Sequence, residues 1–205
     1  MFTVETLRKM LNLALTAIES HLDKLNELDA ATGDGDHGTA ILAAMRAAAK
    51  ASNATGSLAD LLNGIGWEVM GAASGSTSSL TGSFYVGMAQ AVSQDALETD
   101  EVIAMFEGGL HNVRATTKAA IGDKTLMDAL IPAMEAMTAS RGTGKTLSQL
   151  LAAAAKAART GAESTKDLVA KHGRAKNLGE RTRGHYDAGA MSTALIYEAF
   201  AKACE

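Results

Sequence analysis

Val4, Leu7, Leu11, Leu15, Ile18, Leu22 and Leu25 recur at helical spacing, which predicts one amphipathic helix over 4–25. Similar patterns predict helices at about 38–51, 57–72, 98–118, 126–138, 147–170 and 189–203, with an apolar helix at Phe84–Val92 among them. Glu98, Asp100 and Glu101 suit the positive start of the 98–118 helix. Thr125 with Asp128 resembles a capping box, and Thr146 reads as an N-cap. The total is about eight helices, no strand, no internal repeat and no linker, so residues 1–205 read as one domain.

Composition supports that pattern. Apolar residues make up 47% of the chain, aromatics only 4%, and there is one proline, which favours an all-α protein with closely packed helices. A net charge of −4 without a basic run argues against nucleic-acid binding. The single cysteine, Cys204, allows no internal disulfide and fits a cytoplasmic location. Glu5, Arg8 and Lys9 make the N-terminus unlike a signal peptide, and no apolar run reaches the roughly 18 residues that suggest a membrane span.

The chemistry concentrates in Glu27-Leu28-Asp29-Ala30-Ala31-Thr32-Gly33-Asp34-Gly35-Asp36-His37-Gly38. Asp29, Asp34 and Asp36 fall within one short glycine-bearing loop. Converging them costs roughly a few kcal/mol in repulsion even at an effective dielectric near 20, so a cation is expected at their centre. An all-oxygen donor set favours Mg²⁺ or Mn²⁺, and three carboxylates have room for two ions that also grip a polyphosphate. A solvated acidic turn is the plainer alternative. A calcium loop starting at Asp34 fails, because its twelfth position is Met45 rather than a bidentate glutamate. The helix that starts inside the motif directs free N–H groups at the acidic loop, so a metal-bridged phosphate is expected there.

Three other stretches need a reading. Ser74–Gly82 is small and hydroxyl-rich, either a linker or a turn that lets a ligand approach backbone N–H groups. Ala139–Thr146 loosely fits a phosphate-binding P-loop, but a helical segment precedes it where that motif needs a strand, so it reads as a helix connection. Gly173–Gly189 carries Arg174, Lys176, Arg181 and Arg183 with no apolar period, and reads as a loop over a ligand or partner, or as a solvated connection.

The 27–38 motif resembles the signature of the nucleotide-binding L subunit of dihydroxyacetone kinase. The resemblance extends over most of the chain through three further anchors. These are the small-residue turn before Phe84, Gly122-Asp123-Lys124-Thr125 with Asp128, and Leu178–Arg181 followed by Gly184, His185, Asp187, Gly189 and Ala190. It implies eight antiparallel helices in a barrel with the nucleotide at one end. Asp29, Asp34 and Asp36 would hold two Mg²⁺ ions on the phosphates of ADP or ATP. His37, Gly38, Thr39, Ala40, Ser76, Thr77, Gly122, Arg174, Asp187, Ala188 and Gly189 would meet the nucleotide. The Ser74–Gly82 turn lacks the family's proline, and Ala188 stands where the family has another.

The function so implied is the phosphoryl-transfer subunit of a two-component kinase for dihydroxyacetone or a similar short ketose. A separate K-type subunit would bind the ketose through a histidine, so this chain alone would be inactive and would carry no catalytic residue for ketose activation. A phosphotransfer protein that recharges ADP is a further implied partner, and pairing as a homodimer is left open. The alternatives are a kinase subunit for another small acceptor, or a nucleotide-binding regulatory or scaffold subunit without turnover.

Overall fold

The computed structural model describes residues 1–73 and 75–205; Ser74, where the small-residue turn was expected to begin, lies outside the described residues. Among the described residues there are nine α-helices: α1 (Val4–Ser20), α2 (Leu22–Ala30), α3 (His37–Ala51), α4 (Leu58–Ala72), α5 (Ser76–Gln90), α6 (Thr99–Thr116), α7 (Met127–Thr138), α8 (Leu147–Ser164) and α9 (Ala188–Ala203). Two 3-10 segments, Thr165–Asp167 and Arg174–Thr182, lie between α8 and α9. The β-type pairing among the described residues is a bridge from Phe2 to Leu97. None of the described helices is long and apolar enough to cross a membrane.

Helix α1 packs on α3, each later helix packs on the next, and α9 returns to α1, so eight helices close into a ring. Each connection reverses the chain, which makes the ring an antiparallel barrel. Helix α2 lies against α3 and α9. Glycines set how closely several neighbours approach. A Cβ on Gly66 would stand 2.8 Å from the Gly82 carbonyl oxygen, and one on Gly108 would stand 2.6 Å from that of Gly87, so α4, α5 and α6 nearly touch at their backbones. Pro132 has no N–H to offer the Asp128 carbonyl inside α7, and Gly161 of α8 lies directly against that oxygen. The bidentate Arg159–Glu198 pair, at 2.7 Å for each bond, joins α8 to α9.

The core is aliphatic and alanine-rich, except where Phe84, Tyr85, Phe106, Tyr197 and Phe200 stack edge-on or tilted, with ring centroids 5.9–6.4 Å apart. The few aromatics are thus mostly spent on one cluster, where flat rings fill a wide section of the barrel.

Element boundaries depart from the periodic pattern in four places. The 4–25 helix breaks at His21, because Ser20 Oγ at 2.9 Å and His21 Nδ1 at 2.8 Å both engage the Ala17 carbonyl and compete with the ladder. Helix α5 begins at Ser76, so most of the expected turn is its first two turns. Helix α7 begins at Met127, and the box survives one residue early: Asp128 accepts the Thr125 N–H at 2.8 Å and Thr125 Oγ1 accepts the Met127 N–H at 3.2 Å. Helix α8 stops at Ser164, where side chains of Ser164 and Thr165 turn back onto the Gly161 and Ala162 carbonyls.

Two glycine substitutions separate packing from propensity. Gly161→Ala drives a methyl into the Asp128 carbonyl and is expected to lower stability by about 1–3 kcal/mol. Gly64→Ala, on the exposed face of α4 with no atom within 4 Å, is expected to raise it by about 0.4–1 kcal/mol. Thermal unfolding of both variants measures this; a stable Gly161→Ala would mean that α7 and α8 are less closely apposed.

Candidate functional site

Antiparallel closure brings the N-termini of α3, α5, α7 and α9 to one end of the barrel, where they surround a cavity of about 660 Å³. His37, Ser76, Thr77, Met127, Ala188 and Gly189, from the first turns of these four helices, line it. Its floor is the aromatic cluster, through Phe84, Tyr85, Tyr197 and Phe200. Four helix starts, whose first N–H groups have no partners within their own helices, and four positive dipole ends favour an anion at this mouth.

The acidic loop closes one side. One carboxylate oxygen each from Asp29, Asp34 and Asp36 lies within 4.8 Å of the others. Asp29 lies in the last turn of α2, and its Oδ2 accepts the N–H groups of Gly35 at 2.8 Å and Asp36 at 3.0 Å, which folds the loop back over it. Gly33 passes so close that a Cβ would stand 2.6 Å from Asp29 Oδ1, and Gly35 takes φ +80°, which favours glycine. Asp36 carries no capping bond. Arg174, from the segment between α8 and α9, pairs with Asp34 while its side chain stays 70% exposed, so a guanidinium reaches the acidic loop.

His37 ties three helix starts together. Its Nε2 lies 2.9 Å from Ser192 Oγ of α9, and its Nδ1 lies 3.3 Å from Thr77 Oγ1 of α5. Burial holds its imidazole down to about 4 against the pull of Asp29, so it is neutral at pH 7. Because Ser192 also donates to the Gly189 carbonyl at 3.0 Å, the consistent arrangement has Nε2–H donating and Nδ1 accepting from Thr77. Asp187 caps α9 by accepting the Ala190 N–H at 2.7 Å. Burial pushes its carboxyl up to about 7, opposed by that N–H and by Lys124.

Of the residues expected to meet a nucleotide, His37, Ala40, Ser76, Thr77, Arg174, Asp187, Ala188 and Gly189 line the cavity, as do Asp29, Asp34 and Asp36. Gly38, Thr39 and Gly122 stand beside the wall. Gly38 packs against Leu22 and Asn26, Thr39 bonds Asn26, and the Gly122 N–H donates to buried Asp128 at 2.6 Å. Sequence reasoning gave no role to Lys124, Ser192 or His172, which also line the cavity. Lys124 belongs to a quoted motif; Ser192 lies one helical turn past Gly189, a spacing that could have flagged it.

The Lys145-bearing loop lies elsewhere. Arg141 pairs with Glu107, Gly142 N–H donates to Asp100, and Lys145 donates to Ser140 Oγ at 3.0 Å. Asp100 starts α6, whereas Val113 and Thr117 at its other end line the cavity, so a helix length of about 25 Å separates the two.

The DAK2 domain model matches residues 31–202, which is most of the chain. The chain belongs to the DAK2 domain family. It is 35% identical to the ADP-binding subunit DhaL of PEP-dependent dihydroxyacetone kinase 2 from Listeria innocua, over 87% of this chain and 85% of that protein. It is 33% identical to the DhaL subunit of PEP-dependent dihydroxyacetone kinase from Escherichia coli, over 88% of each chain. The dihydroxyacetone kinase of C. freundii, solved with AMP-PNP and Mg²⁺, superposes with a TM-score of 0.74 at 28% identity. That match covers 96% of this chain but 33% of the longer C. freundii chain.

One ionic contact at the rim gives a pH prediction. Lys171 at 2.9 Å, the Ala120 N–H and His172 at 3.1 Å hold the Asp123 carboxyl down to about 2. The folded value lies below the ordinary one near 3.9, so the contribution is present above about pH 4 and lost as pH falls to about 2. Asp123→Asn should therefore show a shallower fall of Tm across that window in calorimetry. Equal slopes would mean that these contacts contribute nothing.

Proposed function

We propose that this chain is the ADP-binding, phosphoryl-transfer subunit of a two-component kinase acting on dihydroxyacetone or a similar short ketose. The observation that carries this is the meeting of four helix N-termini with three converging carboxylates around one cavity. Polyphosphate and divalent cation are the pair of ligands that satisfies both signs of charge at once. Family membership and the two DhaL relatives supply the kinase class. Ring closure of α1 on α9 supports reading residues 1–205 as a single nucleotide-binding domain.

The residues fit Mg²⁺. The donors are carboxylate oxygens within reach of one centre, and Asp36 holds no competing capping bond. Asp29, Asp34 and Asp36 would hold two ions. Held there, the ions would supply positive charge that offsets the negative charge on the transferring phosphoryl group. The chain's own residues do the rest. First-turn N–H groups of α3, α5 and α9 orient the phosphates, and neutral His37 locks Thr77 and Ser192 in place without adding charge. Arg174 swings from Asp34 to phosphate oxygens, where its planar fork engages two acceptors. The acceptor hydroxyl comes from a separate ketose-binding subunit, which docks over this mouth, where Arg181, Arg183 and His185 are exposed. ADP that copurifies tightly with the chain indicates recharging in place by a phosphotransfer protein, whereas an empty chain indicates exchange for ATP.

Asp36→Asn removes one ligand and should weaken Mg²⁺-dependent ADP binding at least about tenfold, with the apo fold intact, because Asp36 makes no cap to lose. Unchanged affinity in calorimetry would overturn the metal assignment. Lys145→Ala, at the opposite end, should leave ADP binding within about twofold; a large loss would place the phosphates at the wrong end of the barrel.

A further inference from the structure

The segment between α8 and α9 crosses the mouth as a strap and carries Arg174. Two consecutive residues of the α6–α7 connection fasten it. The Asp123 carbonyl accepts the Lys171 N–H at 3.1 Å, and its carboxylate holds the Lys171 and His172 side chains. Lys124 does something different. Its ammonium donates to the Thr165 carbonyl at 2.6 Å and to the His185 carbonyl. Those two carbonyls lie at the two ends of the strap, so one charged group pins both.

This is an expensive way to fasten a loop. Lys124 is only 3% exposed, and burying an ammonium is unfavourable unless it is well partnered. It also takes φ +60°, and among the described residues no other non-glycine residue has a positive φ. Backbone strain combined with a buried charge is the kind of outlier that collects at functional sites. Lys124 also lines the cavity, where the carboxylates of Asp187 and Asp128 act on it most among the opposite charges. Simple anchoring is already supplied by Asp123 at the rim.

We propose that Lys124 is a positioning residue for phosphoryl transfer: by holding the Thr165 and His185 carbonyls on one ammonium, it fixes the span of the strap and hence where Arg174 stands over the acidic loop. It acts through Arg174, since its hydrogen bonds go to the strap backbone. The inference rests on the nucleotide-binding reading above.

Lys124→Gly suits the left-handed backbone and removes the ammonium, while Lys124→Met keeps the stem volume and serves if the glycine variant folds poorly. In hydrogen exchange, amides 171–183 should lose about tenfold protection in either variant, with α3 to α6 unchanged. With the ketose-binding subunit present, kcat should fall about tenfold or more while KM for the Mg-nucleotide stays within about threefold. The double variant Lys124→Gly/Arg174→Lys should be no slower than the slower single variant within about twofold, because both remove the same function. Losses that multiply, unchanged strap protection, or kcat equal to wild type would each overturn the role of Lys124 alone. A wild-type chain that binds no Mg-ADP would overturn the functional reading and this inference with it.

Discussion

Everything at the mouth depends on the closure of an antiparallel ring. Once α9 packs on α1, every second connection must fall at the same end. Four helix N-termini then face each other around one cavity without any local signal having to bring them there. Each leaves its first N–H groups without helical partners, and each adds a positive dipole end. The ring closes tightly because glycine and alanine stand at crossings, such as Gly66 on Gly82 and Gly87 on Gly108, where larger side chains would splay the helices. Packing at mid-barrel thereby controls the aperture at the end.

The electrostatics follow from that geometry. Four positive helix ends would attract any anion, so the acidic loop makes the site selective. Its carboxylates repel a bare polyphosphate and accept one that arrives with divalent cations. Arg174 on Asp34 offsets part of the loop's repulsion and lines the same cavity. His37, held neutral by burial, links three helix starts without disturbing the balance. Asp187, raised toward neutrality, caps α9 while adding less negative charge to the cavity.

The helices were legible because apolar spacing reports burial, and all eight expected segments correspond to observed helices. The four family anchors were legible for a reason the spacing hides: His37, Ser76, Met127 and Ala188 begin alternate members of the ring, so they recur two helices apart. What escaped was local competition and long-range contact. A break at His21 arises from two side chains on one carbonyl, and an apolar period continues undisturbed across it. The start of α5 looked like a turn because Ser76–Ser79 lacks the apolar residues by which a helix is recognised. The fastening of the strap pairs residues about 41 to 61 positions apart through backbone carbonyls, which have no side-chain signature.

The strap also explains why an open mouth and a precise site coexist. The helices that bear the metal-loop and first-turn groups are fixed by the ring, so their positions need no ligand. The proposed role of Arg174 requires more freedom than that, since it has to leave Asp34 to reach a phosphate. A crossing held at its base by Asp123 and at both ends by Lys124, with a glycine kink at Gly179 (φ +55°), restricts movement to the stretch that bears the arginine. Rigidity therefore lies in the barrel and its two anchoring residues, and the freedom needed for ligand entry is confined to a few residues at the rim.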